Sequence, residues 1–415
     1  MGKLLTLVVL SLSPPAFAQS FFAPTNDATG PNFLCCAPVN SIDPNVHSVT
    51  VFGGLGDGNF PNRVGVSFAG VNGGPNDAYV PGSASYATIS GGYDNINNAL
   101  AGTIISQHGR LYTAATHGII AGGGKHWISS GDSQAILGGA QHRISSVNGD
   151  NIIAGGANNS ISGNGSASAI IGGSLESISG GAYSAIIGGY KDKITAPAVA
   201  QTIVGGSSNS ITGGATFAAI VSGYDNSVSS NYGAILGGYQ NTVTGYAGAV
   251  VAGDASEVSA PYAVAFGTGR MASWPGGIHY GARNQETAGD RSNVMVAQSI
   301  QTTSAVATGL SGYGTGDYPQ ISPSTAAITQ VMVVGRQQHS NKVVAFTGTV
   351  VMHTGNGGVV TIDSQSWSRQ VDNVGVAAPP MLSASSNQFT VFVTGRAYTT
   401  IDWNADVRFA SVSGP

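Results

Sequence analysis

The sequence predicts an all-β chain, a parallel β-solenoid followed by a compact antiparallel β-domain. Three observations carry that expectation. Two apolar residues followed by Gly-Gly recur through the middle of the chain, as in "AIIGGSLESISGGAYSAIIGGYKDKIT" from Ala169 to Thr195. A second apolar position, a lone Ile or Val, follows each pair at a fixed offset. Near the C-terminus a period of two takes over, with Phe389, Val391 and Val393 facing one way and Thr390, Phe392 and Thr394 the other.

The repeat is aligned on the first residue of each Gly-Gly-like pair. The anchors are Gly91, Ser106, Gly122, Gly138, Gly155, Gly172, Gly188, Gly205, Ser222, Gly237, Ala252 and Phe266, in steps of 14 to 17 residues. Two positions before each anchor stands an apolar residue, from Ile89 through Ile170, Ile186 and Ile203 to Val264. Six positions after it runs the second ladder, from Ile128 through Ile178 and Ile194 to Val258, broken at the rungs of Gly91 and Ser106. The period is too short for a helical repeat and fits one coil of a β-solenoid with two short strands. Stacked at about 4.8 Å per coil, twelve rungs predict a rod of roughly 55 Å. Glycine suits the sharp corners.

Polar residues four after the anchor (Asn95, His126, His142, Asn159, Glu176, Asp192, Asn209, Asn226, Asn241) form a third ladder. They read as turn residues in the left-handed region. The two histidines then substitute in turns and are not metal ligands. No flat threonine ladder is evident, which argues against ice binding.

Composition narrows the function. The chain has 415 residues, 62 of them glycine, with 42% hydrophobic and 8% charged residues and a net charge of −4. That is neither disordered nor basic, and nothing points to nucleic acid. The only cysteines are adjacent, Cys35-Cys36, so no disulfide framework, zinc site or other cofactor is expected. Lys3, the apolar run Leu4–Leu12 and Ala16-Phe17-Ala18 have the shape of a secretory leader. An apolar anchor docking the chain into a larger particle reads equally well. The run is too short to span a bilayer.

The expected organisation is an N-terminal docking or signal segment and cap at 1–80, a shaft at 81–270, a Gly/Ser/Thr-rich connector at 271–325 and a β-knob at 326–415. A coil of about 15 residues encloses a thin core, and its faces are rich in Ala, Gly and Ser. Small residues on a face admit a second chain closely, so a homotrimer is expected.

The pattern SxAIIGGxxNxIxG, seen in "SAIIGGYKDKIT", "QTIVGGSSNSIT" and "GAILGGYQNTVTG", resembles the head repeats of YadA-type trimeric autotransporter adhesins over roughly residues 84 to 270. The resemblance implies a trimeric left-handed parallel β-roll. The coiled-coil stalk and membrane strands of that family are missing; the chain ends "DVRFASVSGP". The ending "FTVFVTGRAYTTIDWNADVRFASV" resembles the terminal domain of phage and prophage tail structural proteins. Together the resemblances imply a phage tail fibre or spike, located in the virion. Its N-terminal region would meet a tail or baseplate protein and its knob a host-surface glycan or protein. The alternatives are a secreted adhesin and a polysaccharide-depolymerising tailspike.

The expected action is non-catalytic adhesion by several weak sites at once. Asp402 and Asp406 beside Trp403, and Glu286 with Asp290, are the carboxylate pairs considered for hydrolysis. They read as solvated acids, and no GxSxG motif occurs. The receptor-contact candidates are Trp367, Arg369, Arg396, Tyr398 and Trp403. No catalytic, metal or cofactor residue is expected.

Overall fold

A computed structural model describes residues 86–411 with their side chains, apart from 113, 196, 270–271, 273–274, 282–293 and 312–323. Before residue 86 it describes only the backbone of short strands. The expectations for residues 1–18, Cys35-Cys36, Glu286 and Asp290 lie outside the described residues. The chain divides into two compact units, 1–129 and 130–415.

In the first unit, Thr88–Tyr93, Thr103–Gln107 and Ile119–Gly124 pair in parallel, coil on coil. Ile89, Ile104 and Ile120 fill the interior. The breaks in the second ladder are filled by Asn97 and Leu111, partners in register and both fully buried. Asn97 satisfies itself locally. Its Nδ2 donates to the Gly102 carbonyl at 2.8 Å, and its Oδ1 accepts from the Ala99 N–H at 3.2 Å.

The second unit opens with the regular solenoid. Ile136, Ile153, Ile170, Ile186, Ile203, Ile220, Ile235 and Val250 pair in parallel register and are all fully buried. Ile144 through Val258 do the same on the second strand of each coil. Each such side chain contributes roughly 1.5–3 kcal/mol by leaving water. The last rung departs from the sequence reading. Ala265, not Val264, pairs with Val250 and enters the core, because a bulge between Val250 and Ala252 shifts the register.

The polar ladder also differs from expectation. The left-handed residue is the one before it: Asn158, Leu175, Lys191, Ser208, Asp225 and Gln240 have φ between 51° and 63°. Such φ values are strained for non-glycine residues. The ladder residues themselves turn inward and are buried. Asn226 shows what they do there. Its Oδ1 accepts the Asn241 N–H at 2.9 Å, and its Nδ2 donates to the carbonyls of Ser222 at 3.3 Å and Gly238 at 3.1 Å. An amide carries donor and acceptor together, so an Asn in this slot ties its corner to the next.

The C-terminal part is antiparallel. Val343–Thr354 pairs with Thr325–Gln337 and Val360–Asp372, while Ile401–Ser413 pairs with Thr325–Gln337 and Arg291–Thr302. Arg291–Thr302 lies in the stretch read as a connector. It is a full partner of Ile401–Ser413 and pairs on its other edge with the final coil strand, Ile278–Gly281. A smaller sheet of Ala307–Gly309, Gln388–Thr394 and Met381–Ser385 belongs to the same hydrophobic core. Phe389 meets Phe409 of the large sheet edge-on, ring centroids 6.0 Å apart. The architecture is therefore all-β, a parallel solenoid with an antiparallel C-terminal domain.

Corner glycines differ in what surrounds them. A Cβ on Gly189 (φ +105°) would overlap Oδ2 of Asp192 and lie 3.0 Å from the Gly206 carbonyl oxygen, whereas one on Gly188 (φ +69°) meets nothing within 4 Å. Gly189→Ala should therefore lower the thermal midpoint clearly more than Gly188→Ala, whose loss is confined to backbone strain of about 1 kcal/mol. Parallel melts of the two variants check this.

Candidate functional site

The five residues singled out in the knob do not form one site. Trp403 is 2% exposed, and its Nε1 donates to Thr302 Oγ1 at 2.8 Å. Its ring leaves no room for a Cβ on Gly335. Trp403 is thus a core residue, and its assignment as a receptor contact is corrected. The odd positions from Ile401 to Ser411 point inward, and a large ring there fills the interior. Trp367 is half-buried over Gly348, donating to Gln365 Oε1 at 3.2 Å. Arg369 pairs with Asp372 at 3.0 Å and lies over the Phe346 ring. Arg396 donates to the Val374 carbonyl. Only Tyr398 stands fully in solvent, at a turn with φ 57°.

Asp402 and Asp406 share one strand face four residues apart, about 13 Å for an extended chain. Asp402 accepts from Gln301 at 2.8 Å and from Gln338 at 3.2 Å, and Asp406 pairs with Arg408 at 2.8 Å. They do not flank a common point.

The solenoid offers more organised surfaces. Two residues after the anchor, Tyr190, Ser207, Tyr224 and Tyr239 are bridge partners on successive coils. The three tyrosines are exposed. Tyr224 and Tyr239 stack with centroids 5.4 Å apart and 7° between planes. Beside them project polar side chains. Lys191 Nζ sits 4.9 Å from the Tyr190 ring, and Gln240 donates to Asp225 at 3.1 Å. On the three coils before it the same column holds Ala140, Ala157 and Ser174, so the ridge begins at Tyr190. Apolar ring faces flanked by an ammonium, a carboxylate and an amide can hold a molecule that has both apolar faces and hydroxyls.

The two strand faces of each coil differ. Outward on the first strand stand Tyr183-Ala185-Ile187, Phe217-Ala219-Val221 and Tyr232-Ala234-Leu236, with no charge. Phe217, Tyr232, Tyr246 and Tyr262 continue as a stripe of rings with centroids 5.4 to 5.5 Å apart. Outward on the second strand stand mainly hydroxyls, among them Ser162, Ser179, Thr195, Thr212, Ser229 and Thr244. The sequence reading, which looked for threonine alone, passed over this mixed column. The tyrosine ridge was missed as well, although "GGY" at Tyr190 and Tyr239 and "SGY" at Tyr224 signal it.

Among the described residues no group of three His, Cys, Asp or Glu is placed to hold a metal, and no helix is long and apolar enough to cross a membrane.

No family model and no curated protein matches the chain. Three similar solved structures are phage tailspikes. The tailspike gp49 of Acinetobacter baumannii bacteriophage Fri1, described as a capsular polysaccharide depolymerase, aligns at 9% identity and TM-score 0.23, over 87% of this chain and 61% of that one. This chain thus spans about three fifths of the Fri1 protein. The tailspike of Acinetobacter phage vB_ApiP_P1 aligns at 8% identity and TM-score 0.22, over 86% and 80% of the two chains. That of Acinetobacter baumannii phage AM24 aligns at 8% identity and TM-score 0.20, over 88% and 78%. The expectation that the chain is not an enzyme is corrected by these findings, since a depolymerase stands among its structural neighbours. The autotransporter resemblance rests on the repeat motif alone.

Tyr398→Ala should leave the unfolding midpoint within about 0.5 kcal/mol of wild type. Trp403→Ala should cost about 3–5 kcal/mol through the cavity it opens. Denaturant titration of both variants separates exposed from core aromatics.

Proposed function

We propose that the protein is a trimeric spike of a phage tail that holds a host-surface polysaccharide along the tyrosine ridge of its solenoid. The observation that carries this reading is the ridge itself. Rings exposed on three of four successive coils, at Tyr190, Tyr224 and Tyr239 with Ser207 between the first two, and Lys191, Asp225 and Gln240 beside them, recur in space as sugars recur along a glycan. Stacking of rings on sugar faces supplies contact area, and the polar side chains address hydroxyls. With a net charge of only −4, long-range steering is small. Residues 1–80 are assigned to a tail or baseplate protein. Tyr398, Arg396, Arg369 and Trp367 of the knob are assigned a supporting contact with a host glycan or surface protein.

The trimer is supported by the apolar first-strand face. Ile187, Val204, Val221 and Leu236 are 40 to 48% exposed in one column, beside a column of alanines broken only by Thr202. A continuous apolar face of this kind marks an interaction surface. Its one-per-coil period is matched by a second copy of the same chain, and its small central residues let the strands approach.

Two measurements test the reading. Binding to a panel of bacterial capsular and lipopolysaccharide glycans should weaken at least tenfold when Tyr190, Tyr224 and Tyr239 are replaced together by Ala, with the melting curve unchanged. Undiminished binding by this variant sinks the ridge assignment. Light scattering should give a trimer for wild type, a smaller species for Ile187→Glu with Val221→Glu, and an unchanged trimer for Ser210→Glu with Ser227→Glu on the hydroxyl face. A wild-type monomer sinks the trimer.

A further inference from the structure

The inward polar slot holds Asn159, Glu176, Asp192, Asn209, Asn226 and Asn241 on six successive coils, all buried. An asparagine there performs two tasks: its oxygen accepts the backbone N–H of the next slot residue, and its NH2 donates to carbonyls of its own and the next coil. Glu176 and Asp192 keep the first task. Oε2 of Glu176 accepts the Asp192 N–H at 2.9 Å, and Oδ1 of Asp192 accepts the Asn209 N–H at 2.8 Å. The second task needs a donor, which a carboxylate lacks. The remaining oxygens, Oε1 of Glu176 and Oδ2 of Asp192, are buried and make no hydrogen bond. They occupy the place of the amide NH2. Oδ2 and the Gly206 carbonyl oxygen border the same point beside Gly189, and Oε1 stands likewise between Gly173 and Gly188.

Nothing in the surrounding coils neutralises two charges there. The slot residues on either side, Asn159 and Asn209, are neutral amides. His142 lies one slot beyond Asn159. Lys191 and Lys193 flank Asp192 in sequence, but alternation turns both outward into solvent. An unpaired charge so placed is strongly disfavoured, and two carboxylates on adjacent coils oppose each other as well.

We propose that Glu176 and Asp192 form a proton-operated clasp within the coil stack: as neutral acids each donates its O–H to a carbonyl of the glycine corner, as the asparagine NH2 does elsewhere, and on losing the proton the clasp opens. Burial is the main cause that pushes the Glu176 carboxyl up to about 7, with the Asp192 charge adding to it against two backbone N–H donors. Burial likewise pushes Asp192 up to about 6, against its hydrogen bonds from Asn209. Both folded values lie above the ordinary 4.5 and 3.8. The protonated forms therefore stabilise the fold fully below the unfolded carboxyl range. That contribution falls as pH rises and is gone once pH has passed about 7. Asp192 is two residues from Tyr190, so the open clasp loosens the coil that begins the aromatic ridge.

The test is thermal unfolding of the full chain from pH 4.5 to 8.5, for wild type and for Glu176→Gln with Asp192→Asn. The wild-type midpoint should fall by several degrees across that range, the double variant should show a flatter slope, and it should exceed wild type at pH 8. Parallel slopes overturn the proposal. Native-state hydrogen exchange of wild type gives a second reading independent of the variant. Protection of the Asp192 and Asn209 amides, corrected for intrinsic rate, should drop between pH 6 and 8, while that of Asn241 holds. Constant protection at all three overturns the clasp. So does a wild-type midpoint raised at pH 8 by added calcium but not in the double variant, since a cation would then fill the slot.

Discussion

One residue per column per coil is the constraint on which the solenoid depends. Parallel pairing sets Ile170 on Ile186, and Ile186 on Ile203, with the same backbone partner each time. From Ile136 to Val250 coil length varies but register does not, because the slack falls in the corners. The slot residues hold that register from inside: each asparagine oxygen takes the N–H of the next, as from Asn209 through Asn226 to Asn241. Buried backbone donors at a corner would otherwise go unpaired.

Stacking in register repeats whatever chemistry a column carries. Isoleucine on isoleucine makes a dry core, asparagine on asparagine a hydrogen-bonded chain, tyrosine on tyrosine an exposed ridge. Charge on charge is penalised, which agrees with a chain only 8% charged. The same rule makes each face chemically uniform. The first strand becomes apolar and the second hydroxyl-bearing, while the corner between anchor and slot carries rings. Uniform faces suit partners that are themselves periodic, a second solenoid on one and a polymer along another.

Much of this was legible in the sequence. Both isoleucine ladders, the polar ladder and the antiparallel ending follow from spacing alone, since each reports a single inside-or-outside alternation. What escaped needed a change of register or of direction. Val264 continues the sequence pattern, but a bulge puts Ala265 in the core. The slot residues were read as left-handed turn residues because Asn and Asp favour that region. The strain is instead borne by the preceding residue, so that the slot side chain can reach inward. Arg291–Thr302 sits among polar residues, yet Val294 and Val296 alternate inward and mark it as a strand. Trp403 passed for a contact because an aromatic next to acids looks alike on a core strand and on a surface. Its parity with Ile401, Ala405 and Val407 places it inside.

A parallel solenoid ends in an open edge whose N–H and C=O groups invite pairing with another chain. Here the last coil strand, Ile278–Gly281, is covered by Arg291–Thr302, which runs antiparallel to it: His279 faces Val294, and Ile278 faces Met295. The covering strand is pinned in turn along twelve residue pairs to Ile401–Ser413, at the far end of the sequence. The edge is therefore closed by a strand that the C-terminal domain itself holds. Unpinning Ile401–Ser413 would expose the solenoid edge, so the domain protects the coils in addition to whatever it binds.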